Sequence, residues 1–227
     1  TILRLLGADA GDAGAHILDI GCGAGDLLVA IGRRFPAAAL AGVDRSKSGF
    51  RAARAALPAV MLIDHDLEAD TPAPTSLAGW ASHAVCSEVL EHVADPVDVL
   101  RRARLLLAPG GRLVVTVPGG PKSAFDKAIG HRRHYTPELL GAQLRAAGYQ
   151  VELVSGAGFP IFNLYRLVVI SRGDRLADDI DGRPSALARV AMAVFRGLFR
   201  FALADTPWGW QIVAQARRTA SDQRSTL

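Results

Sequence analysis

Two cysteines, Cys22 and Cys86, are all that 227 residues contain, too few for a disulfide framework, and nothing points to an oxidising compartment. No run of 18 apolar residues is free of charge, so no transmembrane helix is predicted. The opening hexapeptide, Thr1 to Leu6, is too short and too early for a signal peptide. Internal repeats and low-complexity segments are also missing. Disorder is excluded by the composition, 50% apolar and 21% charged, and a chain of this length can bury a sizeable core in one domain. A cytoplasmic protein is expected. A chain opening on Thr1 rather than Met is also expected to have lost its true N-terminus.

The net charge of +4 is unevenly spread. Residues 1–118 carry 11 basic and 13 acidic side chains, a net −2, whereas residues 119–227 carry 15 and 9, a net +6. An acidic half and a basic half in one compact chain face different ligands.

Short apolar β-type runs alternate with helix-length segments through the first half. The pattern predicts strands at 16–20, 39–43, 60–63, 83–86 and 112–117, with a sixth at 149–154. Helices are predicted at 26–35, at 46–56 with Ser46 as N-cap, and from Asp95-Pro96 to about Ala108. Thr136-Pro137 opens another, which ends at Gly148. Such alternation implies an α/β fold with parallel strands, right-handed crossovers and ligands beyond the carboxyl ends of the strands. Residues 157–207 break the pattern. Gly158–Ile170 is strongly apolar, 174–184 is loop-like, and 185–203 reads as a basic amphipathic helix. A last strand is predicted over 210–216.

Asp19-Ile20-Gly21-Cys22-Gly23-Ala24-Gly25 follows the first strand directly. Glycines there permit a tight turn and a close backbone approach to a ligand. A dinucleotide fingerprint would need glycine at position 26, which is aspartate, so NAD is disfavoured. Asp44 closes the second strand, where a carboxylate can accept both hydroxyls of a ribose.

With these pieces the chain resembles the class I S-adenosylmethionine-dependent methyltransferases. The matching segments are LDIGCGAGD (18–26), GVDRS (42–46), DHDL (64–67), SEVLEHVADP (87–96), LLLAPGGRLVVTVP (105–118) and HRRHYTPELL (131–140). The resemblance implies a Rossmann-like seven-stranded sheet of order 3-2-1-4-5-7-6, strand seven antiparallel, helices on both faces and a helical insertion between strands six and seven. It implies S-adenosylmethionine as cofactor. Asp19, Gly21 and Gly23, with Cys22 between them, would surround the methionine part. Asp44, followed by Arg45, would hold the ribose, Asp66 and Leu67 the adenine. Ser87 and Glu88 would sit beneath the sulfonium. One domain over 1–227 is expected: a cofactor core at 16–118, an acceptor-side segment with strand six at 119–156, a lid insertion at 157–207 and the last strand at 208–218.

Methyl transfer is an in-line displacement, and a hydroxyl acceptor must lose its proton. His92, His131 and His134 are the base candidates, beside Glu88. Some O-methyltransferases of this class bind a divalent metal through an E-x-x-E-H string, so Glu88, Glu91 and His92 are an alternative metal set, although no metal is the favoured reading. Tyr135, Phe159, Phe162, Asn163 and Arg166 are candidate walls of the acceptor pocket. The basic half suits an anionic acceptor. Segment 185–203 offers a homodimer seam or a peripheral membrane contact. Nucleic acid is not expected, because strand four ends in Ser87-Glu88-Val89-Leu90 rather than Asn/Asp-Pro-Pro-aromatic, and no Pro-Cys pair offers a nucleophile. The expected activity is O-methylation of a small molecule in specialised or cell-envelope metabolism. N- or C-methylation, a nucleic-acid methyltransferase and a non-catalytic cofactor-binding protein are the rivals.

Overall fold

The structure, a computed structural model, describes residues 1–45, 47–69, 71–172, 194–195 and 197–219. Seven strands form one sheet in the order β3-β2-β1-β4-β5-β7-β6. They are β1 (His16–Ile20), β2 (Ala39–Asp44), β3 (Met61–Asp64), β4 (Ala81–Ser87), β5 (Leu107–Pro118), β6 (Tyr149–Ala157) and β7 (Gln211–Arg218). The first five pair in parallel, and β7 runs antiparallel to both β5 and β6.

A parallel sheet covered on both faces reads as continuous apolar runs, and the strand residues divide between two cores by parity. Leu18, Ala84, Cys86, Leu113 and Val115 face one core. Their neighbours Ile17, Val85 and Val114 face the other. On the first face lie α4 (Pro96–Leu106), through Val99, Leu100, Ala103 and Leu106, and α6 (Pro137–Ala146), through Leu140 and Leu144. On the second lie α1 (Ile2–Leu5) and α2 (Asp26–Arg34), with Leu5, Leu6, Ile31 and Phe35. Burying such side chains stabilises by roughly 1.5–3 kcal/mol each.

The cap signals act as expected. Asp95 accepts hydrogen bonds from the amides of Val97 (2.9 Å) and Asp98 (3.1 Å), with Pro96 in the first helical turn. Thr136 accepts from Leu139 at the start of α6. The Ser46 cap falls outside the described residues, while α3 spans Lys47–Ala56. Two short helices arise where none was expected, α1 and α5 (Ala124–Ala128). The apolar stretch after β6 is α7 (Ile161–Arg172). Most of segment 185–203 lies outside the described residues, and its end is a 3-10 turn at Phe199–Phe201. Among the described residues no helix is long and apolar enough to cross a membrane.

Candidate active site

The strand order reverses between β1 and β4, and the loops beyond their carboxyl ends form the site. Gly21 opens the loop after β1 with φ 76°, and a Cβ there would stand 2.3 Å from Cγ2 of Val89. Only glycine fits both demands. The amides of Gly21 and Cys22 donate to the Val43 carbonyl at 2.8 and 3.2 Å, and Gly23 N–H donates to Oδ2 of Asp44 at 2.9 Å. The loop is thus pinned to the end of β2.

A cavity of about 300 Å³ opens over these ends. Gly21, Asp44, Arg45, Asp66 and Leu67, all expected at the cofactor, line it together with His65, Glu68, Glu88, Val89 and His92. The loop after β3 is tied down from within: Asp66 accepts from the Glu68 amide at 2.9 Å, and Glu68 accepts from the Ala94 amide at 2.7 Å. Asp19 lies beneath, 2% exposed, its carboxyl pushed up to about 7 by burial and then by the charge of Asp44. Cys22 turns its thiol into an apolar cluster with Leu28 and Phe50. Burial, then Asp19 and Asp44, raise that thiol to about 12, which makes it an inert filler.

A second cavity, of about 730 Å³, adjoins the first, and Glu88 and His92 belong to both walls. Its apolar side comes from Ile2 and Leu3 of α1, Leu27 and Ala30 of α2, Phe162 and Tyr165 of α7, and Val213. Its polar end carries Ser87, Glu88, Glu91, Thr116, Asp126, His131, Arg166 and Gln211. Ser87 therefore faces this cavity and not the first.

Glu88 is the one non-glycine residue with positive φ (57°) among the described residues, a conformation costing on the order of 1–3 kcal/mol. Its Oε1 accepts from Oγ1 of Thr116 (3.1 Å) and Nε2 of Gln211 (2.7 Å). With the Thr116 proton so used, the 2.8 Å contact between the Ser87 and Thr116 hydroxyls has Ser87 as donor. Burial raises the Glu88 carboxyl, the two hydrogen bonds opposing it. Glu91 is fully buried and neither carboxylate oxygen has a partner. Burial, and then the charge of Glu88, push it up to about 8. His92 and His131 meet edge to face, 4.7 Å between centroids. Burial lowers both imidazoles, His131 to about 4.

Asp126 organises the other side. Ser123 and Asp126 make a reciprocal capping box on α5, and both guanidinium nitrogens Nη1 and Nη2 of Arg166 donate to the carboxylate, at 2.9 and 2.7 Å. Burial would raise this acid, but the Arg166 and Ser123 hydrogen bonds hold it well below the usual carboxylate range. The bidentate pair ties α7 to α5.

Two triplets bring ligating atoms within 4.8 Å of one another: Glu91, His92 and His131, and Asp126, His131 and His134. The second is a poor cation site, since Asp126 is already saturated by Arg166 and Ser123. The first fits a divalent cation, for its carboxylate oxygens are buried without partners and both imidazoles are lowered toward the neutral form. It differs from the set expected from sequence by His131 in place of Glu88.

Three residues expected at the acceptor do not line the second cavity, and two of them, Phe159 and Asn163, line a third with Trp208 and Trp210. Tyr135 is in the core, its hydroxyl donating to the Leu90 carbonyl at 3.0 Å. Asn163 splices α7 to the segment before β7, donating to Trp208 O and accepting from Trp210 N. Phe159 packs near Trp208, outside both main cavities. Sequence reasoning overlooked Asp126, Thr116, Gln211 and His65. Only Asp126 had a local signal, the Ser-x-x-Asp spacing of a capping box. Thr116 and Gln211 reach the site by sheet pairing alone, which no local pattern encodes.

Residues 1–154 match the model of a methyltransferase domain family. Among curated relatives, the ubiquinone biosynthesis O-methyltransferase of Pseudomonas aeruginosa is 31% identical over 175 residues, 70% of this chain and 75% of that protein. The protein of the same name from Aeromonas salmonicida is 33% identical over 172 residues, covering 68% and 71%. Among solved structures, an S-adenosylmethionine-dependent methyltransferase from Mesorhizobium loti superposes with a TM-score of 0.60 over 96% of each chain at 19% identity. Phosphoethanolamine N-methyltransferase 2 of Haemonchus contortus, in complex with S-adenosyl-L-methionine, superposes with a TM-score of 0.61 at 17% identity, over 96% of this chain and 51% of that one.

Proposed function

This chain belongs to the methyltransferase domain family as an S-adenosylmethionine-dependent methyltransferase, and from that premise we propose that it methylates a hydroxyl oxygen of a small-molecule acceptor. The observation that carries the proposal is the shared wall: Glu88 and His92 border both cavities, so cofactor sulfur and acceptor meet there. The residues present suit the cofactor. Gly21 leaves a cradle that a Cβ would fill, and Asp44 lines the cavity with a carboxylate suited to a diol. The bound cofactor supplies a methyl group on a cationic sulfur.

The chain's own residues then have separable tasks. Asp44 and Asp66 orient the nucleoside, and Glu88 holds the region under the sulfur, steadied by Thr116 and Gln211. His92 and His131 offer neutral imidazoles that can take a hydroxyl proton. The apolar side of the second cavity accepts the hydrocarbon part of the acceptor, with Arg166 at the polar end. Oxygen is favoured over nitrogen because an amine needs no base, and because the relatives are named for O-methylation. An anionic acceptor group, a homodimer and a peripheral membrane contact through 185–203 belong to the same proposal and rest on the charge of residues 119–227.

Incubation with methyl-labelled S-adenosylmethionine and a panel of phenols, catechols and amines tests it. Label on oxygen is the expected result, and label confined to amines would overturn it. A second reading rests on the orphaned oxygens of Glu91: a divalent cation at Glu91, His92 and His131 would bind the acceptor hydroxyl and lower its pKa. Activity that survives EDTA excludes that reading.

A further inference from the structure

The loop after β3 supplies His65, Asp66, Leu67 and Glu68 to the lining of the first cavity. Among the described residues between Asp64 and Thr75 there is no helix or strand, so the loop takes its shape from what its backbone is tied to. The His65 amide donates to the Asp44 carbonyl at 3.0 Å, and from there the ties run to α4. Glu68 accepts from the amide of Ala94, one residue before the Asp95 cap of that helix. On the second turn of α4, Arg102 donates through Nη1 to the carbonyls of Ala69 and Thr71, the latter at 3.3 Å. Its Nε donates to Oδ2 of Asp98 at 2.8 Å, an i, i+4 ion pair that fixes where the guanidinium fork points. Arg45 adds little, for it stands 4.0 Å from Asp66 and from Glu68 with 70% of its side chain exposed. Helix α4 is itself a wall of the same cavity, through Val99. The ties between loop and helix therefore set how far apart these two walls stand.

We propose that Arg102, aimed by Asp98, is a positioning residue that holds the loop after β3 in its cofactor-binding shape, so that the cofactor meets a cavity already formed. This rests on the reading that places the nucleoside in the first cavity. Neither Arg102 nor Asp98 lines that cavity, so the pair acts through the loop backbone and not by contact. A loop that must be ordered on binding subtracts its ordering entropy from the affinity, and a loop ordered beforehand does not. A guanidinium suits the task because its planar fork reaches two carbonyls and a carboxylate at once, whereas an ammonium is a point donor on a flexible stem. The task belongs to binding and not to the chemical step, since cofactor sulfur and acceptor meet at Glu88 and His92, which belong to the loop after β4.

The test titrates the full chain with S-adenosylhomocysteine in a calorimeter and follows amide hydrogen exchange of residues 65–69. In Arg102→Met, Kd should rise about 10-fold, the cost of ordering the loop at the moment of binding. Exchange over 65–69 should speed in the free chain and slow again at saturating S-adenosylhomocysteine. In methyl transfer the cofactor KM should rise by the same factor, with kcat and the acceptor KM unchanged. Arg102→Lys should restore part of the affinity. Asp98→Ala should raise Kd by less, and should add nothing in the Arg102→Met background, because Asp98 acts through Arg102. Should Arg102→Met not fold, Arg102→Lys and Asp98→Ala carry the same measurements. A folded Arg102→Met chain with unchanged Kd overturns the proposal, as does a raised Kd with unchanged exchange over 65–69. A kcat that falls at saturating cofactor while KM stays overturns it too. If Asp44→Ala binds S-adenosylhomocysteine as tightly as the unmodified chain, the nucleoside lies elsewhere and that reading fails, while the exchange rates still decide whether Arg102 holds the loop.

Discussion

On the proposed reading, Asp19 is the buried acid through which cofactor binding would be coupled to a proton. Its pKa is raised to about 7 from 3.8, so its ionisation removes stability as the pH climbs between those values. A cationic sulfonium or ammonium beside it would return that stability by favouring the carboxylate. Cofactor binding near pH 7 should therefore release a fraction of a proton, seen as a calorimetric enthalpy that varies with the ionisation enthalpy of the buffer. In Asp19→Asn that dependence should vanish, and its persistence would place the proton elsewhere. That Gly21 and Asp44 would meet at the ends of neighbouring strands was readable in the sequence because a tight loop and a strand end constrain side-chain type locally. Tyr135, Asn163 and Phe159, expected at the acceptor, lie outside the second cavity. An aromatic or amide near a pocket can equally serve the packing beneath it, and only tertiary contacts decide.

Among the elements, α7 is joined to α5 by a buried ion pair. Asp126 is fully buried and Arg166 nearly so, with two hydrogen bonds between them. Removing one partner from a pair of this kind leaves a buried charge uncompensated and costs about 3–5 kcal/mol. Arg166→Met should cost that much in urea denaturation. The double variant with Asp126→Leu should recover a large part, and equal losses for single and double variants would argue against the pairing. The helices opened by a cap followed by proline, α4 and α6, were legible to within a few residues because Asp95-Pro96 and Thr136-Pro137 specify their starts chemically. The short helices α1 and α5 were not, since four or five residues hold too little periodicity and their form is imposed by what they pack on.

At the scale of the whole molecule, the acidic half contributes the parallel sheet and the lining of the first cavity, while the basic half contributes β6, β7, α7 and Arg166. The sheet order was legible only through the family resemblance. Local pattern cannot tell that β7 inserts between β5 and β6, because that register is fixed by pairing across 90 to 110 residues, as in Thr116 with Val213 and Arg112 with Arg217. A chain ended at Asp205 would lack β7, leaving β6 without a partner and β5 bare along the edge that faces away from β4. It should lose its cooperative thermal transition in circular dichroism and its affinity for S-adenosylhomocysteine. A sharp melt in that truncated chain would show that the parallel strands fold alone.

The inserted position of β7 also sets an order of events at the ribosome. β6 ends at Ala157 and its partner begins only at Gln211. At about 5–20 residues per second, several seconds of synthesis separate them. Through that interval β5 presents a bare edge of unpaired amides and carbonyls, the sort of edge on which neighbouring nascent chains add strands. Gln211, which steadies Glu88, sits at the first residue of the strand that closes this edge. The strand that covers this edge therefore also brings Gln211 to Glu88, so the sheet and the polar end of the second cavity are completed together.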